Sequence, residues 1–495
     1  MLFNSLNFIC FFPPVVLVYF LIPKKTKYVW LLFASYIFYM GWNPKYALLM
    51  ALSTVITWAG GLFLEYACEK KSAGKYILFL TIFVNLCILG IFKYFDFIIE
   101  NLNLIFMKLN LSVIDKPFDI ILPVGISFYT FQAVGYTIDV YRGKVKAERN
   151  ILRYALFVSF FPQLVAGPIE RSERLLKQIQ EMDIRNIFDY RSMVNGSIKM
   201  CWGYYMKMVI ADRIAIMVNF VFDSYYMYQS IELIMAAVGF AIQIYCDFAS
   251  YSLIAVGAAQ VMGFTLMENF DTPYFSRSIK EFWRRWHISL STWLKDYLYI
   301  PLGGNRCSRL VKYRNLMLTF LISGLWHGAN WTYVLWGGVH GIYQIIGEIL
   351  HPVKVKLYAT CKVKVNSFSF KLGQTLITFF FVDLAWIIFR SNTLADAFYY
   401  LERMVSKWNP WVLFDGTLYD LGLNSFEMNV LFVSLSVLFA VDSVKFFAKK
   451  QLDEFLSEQC IWFRWGVLMF LIISVMVYGI YGPSFDSQQF IYFQF

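Results

Sequence analysis

The chain has 495 residues, 59% apolar, 20% aromatic and only 16% charged, whereas ordinary soluble domains carry about 25% charge. So few charges cannot clothe a soluble protein of this size, and disorder needs low hydrophobicity with high charge, so a polytopic membrane protein remains. The net charge of +11 lies in short Lys/Arg tracts between apolar runs, which reads as membrane topology and leaves no role for nucleic acid.

In chain order, Phe8 to Ile22 is apolar, with no basic residue before it and Lys24, Lys25 and Lys27 after it. A secretory signal has the reverse arrangement, so this is expected to be a retained span with its N-terminus outside. Further runs near the ~20 residues that a bilayer requires lie at 28–42, 46–64, 76–95, 119–140, 151–168, 194–222, 233–262, 333–349, 374–390, 428–447 and 462–481. Barrel strands would be shorter and alternating. The expected fold class is therefore an all-α polytopic integral membrane protein with about 11–13 membrane helices, plus interfacial and re-entrant helices. Basic tracts at 65–75, 306–314, 354–371 and 445–464 point to the cytoplasm, and the acidic connection 390–427 suits the outside. No soluble catalytic domain is evident, so the activity is expected within or across the membrane.

One segment differs in kind. Ile279, Phe282, Trp283, Trp286, Leu290, Trp293, Leu294, Tyr297 and Leu298 recur at spacings of three and four, with Lys280, Arg284, Arg285 and Lys295 off the stripe. That pattern predicts an amphipathic helix lying in the membrane interface, with His287 on its apolar side.

The eight cysteines are scattered, with no C-x-x-C pair. No metal site or disulfide framework is expected, and buried thiols are the default. Four histidines occur, His287, His327, His340 and His351, and histidine is the usual general base near neutral pH. His327 lies in SGLWHGANW. Both ends of 315–349 look cytoplasmic, and about 34 helical residues rise only ~51 Å, too little for two full spans and a turn. A short or re-entrant helix with His327 near its tip is the expected solution. An ionisable group at that depth is a functional candidate, but a histidine bonded to a neighbouring helix fits the position equally. His340, among Gly337, Gly338 and Gly341, reads as helix packing, and His351 at a span end reads as incidental. Asp247 and Asp383 are apparently intramembrane and must pair or face a polar cavity. No H-E-x-x-H, G-x-S-x-G, P-loop or dinucleotide motif is present. A buried histidine base then suggests direct transfer to a hydroxyl, while composition alone allows a transporter or channel.

The stretches LPVGISFYTFQAVGYTIDVYRG (122–143), FFPQLVAGPIER (160–171), EFWRRWHISLSTWLKDYLYIPLGGNR (281–306), GLWHGANWTYVLWGGVHG (324–341) and the closing FIYFQF (490–495) together resemble the membrane-bound O-acyltransferase family. The closest branch is that of the bacterial alginate O-acetylation membrane proteins. The resemblance implies N-terminal transmembrane helices in 1–118, a catalytic core in 119–350 and C-terminal transmembrane helices in 351–495. It implies His327 as catalytic base and His287 as a second catalytic histidine that orients the acceptor or lines the pocket. Trp286, Asn330, Asp247 and Gln163 are the expected substrate-binding or tunnel-lining residues. It further implies an acyl group, acetyl in this branch, taken from a cytoplasmic donor, acetyl-CoA or a carrier-protein thioester, with no tightly bound cofactor. The expected acceptor is a cell-surface polysaccharide, reached directly or through an extracytoplasmic acetyltransferase or relay protein. A cytoplasmic acyl carrier is a further expected partner, and the expected location is the bacterial inner membrane. Acyl transfer to teichoic acid of the D-alanyl type, an exporter without chemistry and a scaffold for partner acetyltransferases are the alternatives. One departure stands out: where the family commonly reads D-F-S-G-Y-S-D, this chain has Asp247 through Leu253, without the second acidic residue.

Overall fold

The computed structural model describes residues 1–67, 71–115, 122–165, 167–184 and 188–481. The start of the span expected at 119, Cys68 and the closing FIYFQF motif lie outside the described residues. Among the described residues the secondary structure is helical, with no strand. In chain order the main helices are α1 (Leu6–Leu21), α2 (Lys27–Met40), α3 (Pro44–Ala67), α4 (Lys71–Lys108), α5 (Ile126–Tyr141), α6 (Ile151–Ser159), α7 (Tyr190–Tyr204), α8 (Asp212–Asp223) and α9 (Ser230–Val261). Then come α10 (Ile279–Arg285), α11 (Ile288–Leu294), α12 (Arg309–His327), α13 (Trp331–Thr360), α14 (Phe368–Arg390), α15 (Leu394–Ser406), α16 (Ser425–Ala448) and α17 (Ile461–Tyr478).

Six of these, α3, α4, α9, α14, α16 and α17, are long and apolar enough to cross a membrane, and α1 is a shorter apolar helix. Two expected spans are shorter than their apolar runs. The run at 119–140 is helical as the 16 residues of α5, and that at 151–168 as the 9 residues of α6, which ends where Phe160 leaves helical geometry ahead of Pro162. Inside a continuous helix Pro162 would withhold the N–H owed to the carbonyl four residues back; it sits instead in the first turn of a separate short helix, Phe161–Leu164, where that donor has no intrahelical partner to miss.

The helices are clothed inside out. On α3, Ser53, Thr54 and Thr57 are buried while Leu48, Leu52, Val55 and Phe63 are exposed. Inside the protein these hydroxyls act as interhelical glue: Ser53 donates to Asn85 of α4 at 2.6 Å, and Thr57 accepts from Tyr154 of α6 at 2.8 Å. The exposed apolar face is what lipid tails solvate. The cysteines follow the same logic and correct the expectation of buried thiols. Among the described ones only Cys246 is buried; Cys10 and Cys87 are exposed on apolar helices, where a small apolar side chain sits as well against lipid as against protein, and Cys361 and Cys460 are exposed at helix ends in basic tracts.

The described residues pack as two compact units, Met1–Ser197 with Ile254–Met267, and Ile198–Leu253 with Glu268 onward. The second contains both histidine motifs. There α12 and α13 form an antiparallel hairpin closed by Gly328, Ala329 and Asn330. Glycine is required at two places along it: a Cβ on Gly324 would lie 2.2 Å from the Tyr333 carbonyl oxygen, and one on Gly337 2.2 Å from that of Phe320. The arms touch backbone to backbone there. His327 stands at the tip of this hairpin, as expected, but the arms are 19 and 30 residues long, the second running on to Thr360 rather than ending near 349.

The predicted amphipathic helix has its two faces but not its continuity. Lys280, Arg284 and Lys295 are exposed, and Phe282, Trp283, Trp286, Leu290, Trp293 and Leu294 are buried. The segment breaks into α10 and α11 at Trp286–His287, and its tryptophans face protein.

Candidate functional site

His327 is the last residue of α12, at the tip of the hairpin, and its side chain is 4% exposed. The turn beyond it is fixed by Asn330, whose Oδ1 accepts from the Thr332 N–H at 3.0 Å to cap α13, and whose Nδ2 donates to the Asn392 carbonyl at 3.0 Å. Around the imidazole stand Trp326 and Trp336, each with ring centroids 5.1 Å away, and Phe389 of α14 at 5.6 Å. Trp336 is itself stacked on Trp386 at 5.5 Å.

His287 reaches the same place by a different route. Its backbone is left-handed, φ 42° and ψ 56°, a conformation that costs a non-glycine residue about 1–3 kcal/mol and persists only where surroundings over-determine it. Here Asn269 does so. Its carbonyl accepts from the Ile288 N–H at 2.9 Å, and its side-chain oxygen accepts from the Ser289 hydroxyl at 2.6 Å and N–H at 3.3 Å. Behind the break, Arg285 is held by Glu281 at 3.0 Å and by the Asp271 carboxylate at 3.2 Å. The turn drives the His287 ring fully inside, 4.6 Å from Phe248 and 5.9 Å from Trp326. The centroids of His287 and His327 are 6.4 Å apart, with the rings inclined at 62°. Two buried imidazoles from separate elements thus share one aromatic cluster.

The other expected site residues fall outside this pair. The Trp286 ring is buried against Phe270 and Trp386, both at 5.0 Å, and forms wall. Asn330 caps the hairpin. Asp247 is engaged by Lys207 at 2.5 Å, and Lys207 also pairs with Asp212 at 2.7 Å, all three side chains being buried. Gln163 belongs to the first unit, where its amide donates to Gln132 at 2.8 Å and to the Phe157 carbonyl at 2.9 Å. Asp383 is half-buried on α14, and His351 is exposed on α13. Among the described residues no group of three or more His, Cys, Asp or Glu side chains is arranged to hold a metal ion.

His340 has a structural assignment: its Nδ1 accepts from the Trp283 indole N–H at 3.2 Å, tying α10 to α13. Trp283→Phe removes that donor and leaves a buried acceptor unsatisfied, a cost of about 1–3 kcal/mol. The expected result is a lower melting temperature in detergent with activity per molecule nearly unchanged. A large loss of activity at unchanged stability would instead put His340 into the chemistry.

Sequence reasoning missed Lys207, Asp212, Asn269 and the walls Phe248, Trp326, Trp336, Trp386 and Phe389. Lys207 carried a signal, since a lysine inside the apolar run 194–222 and the one charged residue of the run 233–262, Asp247, are mutual candidates. Asn269 carried none.

Residues 145–353 match the model of the membrane-bound O-acyltransferase family. The chain is similar to the probable alginate O-acetylase of Pseudomonas aeruginosa, 40% identical over 83% of this chain and 76% of the relative. It is 37% identical to the peptidoglycan O-acetyltransferase of Helicobacter pylori, over 82% of this chain and 80% of the relative. A more distant relative is the teichoic acid D-alanyltransferase of Streptococcus thermophilus, 30% identical over 56% of this chain and 70% of the relative.

Proposed function

The chain belongs to the membrane-bound O-acyltransferase family, and from that premise we propose that it O-acetylates a bacterial cell-surface polysaccharide, with His327 as the general base. One observation carries the reading: two buried imidazoles on independent elements, 6.4 Å apart, in an aromatic cluster at a hairpin tip. Relatives whose names specify acetyl transfer to alginate and to peptidoglycan support the acetyl group and the polymer class.

In this mechanism the acceptor hydroxyl lies between the imidazoles. His327 takes its proton as the oxygen attacks the thioester carbonyl of the donor. The tetrahedral intermediate then collapses, the C–S bond breaks, and the leaving thiolate recovers the proton from the His327 imidazolium. General base catalysis of this kind contributes about 10²–10⁴-fold. His287, held rigid by its clamped turn, orients the hydroxyl. The donor is acetyl-CoA or an acyl-carrier thioester from the cytoplasm. The acceptor is the polymer itself or an extracytoplasmic relay protein or acetyltransferase. Residues 119–350 form the catalytic core within the bacterial inner membrane. Transfer of the D-alanyl type is the second reading, supported by the more distant relative.

The test is the O-acetyl content of the surface polysaccharide in a deletion strain and its complemented parent. Loss of acetyl with continued polymer export is the expected result. Loss of the polymer itself would identify an exporter, and unchanged acetylation would remove the proposal.

A further inference from the structure

The first unit carries a feature that acyl transfer does not use. Beside α1 runs an apolar groove of about 640 Å³, lined by Phe12, Val16, Phe20 and Leu21 and, from the chain ahead of and within α7, by Phe188 and Met193. That size lies within the roughly 300–1,000 Å³ of small-molecule sites. Phe20 and Phe188 close one end, edge to face at 5.7 Å.

At that end the chemistry changes sign. Lys27, at the start of α2, is 6% exposed, and its ammonium lies 5.5 Å from the Phe20 ring and 4.7 Å from that of Tyr19. Those two aromatic faces are its only partners among the described residues. Lys24 stands close enough to repel it electrostatically, and Lys24 and Lys25 are exposed. The acidic side chains on the turn packed against Lys24–Thr26 are already engaged, Asp183 by Arg153 at 2.6 Å and Glu181 by Lys177 at 3.9 Å. A buried ammonium without a counter-ion is costly, and cation–π contacts recover only about 0.5–2 kcal/mol. The lysine turn therefore calls for an anion.

Length decides which anion. From Phe12 to Leu21 the groove follows α1 for about 14 Å, near half of the ~30 Å hydrocarbon core. A partner's transmembrane helix would need the full thickness, whereas one acyl chain needs one leaflet. We propose that the groove is a binding site for a single anionic phospholipid, its acyl chain along α1 and its phosphate on Lys24 and Lys27. The basic tract belongs by its charge to the cytoplasmic side, the leaflet in which anionic headgroups attract such tracts.

The purified full chain, exchanged into nanodiscs of phosphatidylglycerol or phosphatidylcholine and released for native mass spectrometry, tests this directly. The wild type is expected to retain phosphatidylglycerol preferentially, about fivefold for each lysine. Lys24→Gln, on an exposed side chain, loses one such factor. Lys24→Gln with Lys27→Gln abolishes the preference, and Val16→Trp, which fills the groove, lowers retention of both lipids. Equal retention of the two lipids by the wild type overturns the proposal, as does a preference that survives the double substitution. Complete displacement by inorganic phosphate overturns the acyl-chain half of it, and a protein helix seated in the groove in place of lipid overturns it altogether.

Discussion

His327→Ala is expected to lower O-acetylation of the surface polysaccharide by about 10²–10⁴-fold at undiminished membrane abundance. The second half of that statement rests on the hairpin. Its arms are held by the backbone contacts at Gly324 and Gly337 and its turn by the Asn330 cap, and none of these needs the imidazole. The His327 ring is buried among Trp326, Trp336 and Phe389, so its loss leaves a cavity bounded by large rings that stay in place. Acetyl content per polymer repeat, normalised to immunoblotted protein, separates the two effects. Normal acetylation with His327→Ala would move the base to His287 or to a partner protein.

Lys207→Met is expected to prevent accumulation of the protein. Lys207 lies on a π-helical turn, Tyr205–Ala211, between the carboxylates of Asp212 and Asp247. Deleting the cation leaves two buried carboxylates facing each other. Breaking a buried pair in this way costs about 3–5 kcal/mol, a large part of the roughly 5–15 kcal/mol that holds a domain together. The informative comparison adds Asp212→Asn and Asp247→Asn to Lys207→Met, which removes the charges together and should restore much of the abundance. If Lys207→Met alone accumulates and melts like the wild type, the triad is not what fixes α9 against this turn. The alanine at 327 should fail in activity and the methionine at 207 in folding.

The turn at His327 was legible from like charge at both ends of 315–349, which calls for a reversal between them, whereas the length of the arms was not, since the helix after the turn runs on to Thr360. The break at His287 was not legible. The apolar stripe runs through Trp286 and Leu290 at unbroken helical spacing, and no glycine or proline marks the interruption. What breaks the helix is tertiary, the Asn269 clamp on Ile288 and Ser289, and local pattern contains nothing of a partner some twenty residues away. The burial of the tryptophans was hidden for the same reason, since an apolar face reads alike whether lipid or protein covers it. Asp247 shows the intermediate case. Its need for a partner was legible, its partner was not identified, and the structure supplies Lys207.

The uneven clothing of the spans has a consequence for how this sequence can drift. On α9, 72% of the most apolar window is buried, against 11% on α17. A residue of α17 has mainly to dissolve in lipid tails, and Leu, Ile, Val, Phe and Met all do so. A residue of α9 must also match the shape of its neighbours in a close-packed interior. Two helices of similar hydropathy are therefore held to different alphabets: exchange among apolar residues is expected to leave stability unchanged along α17 and to lower it along α9.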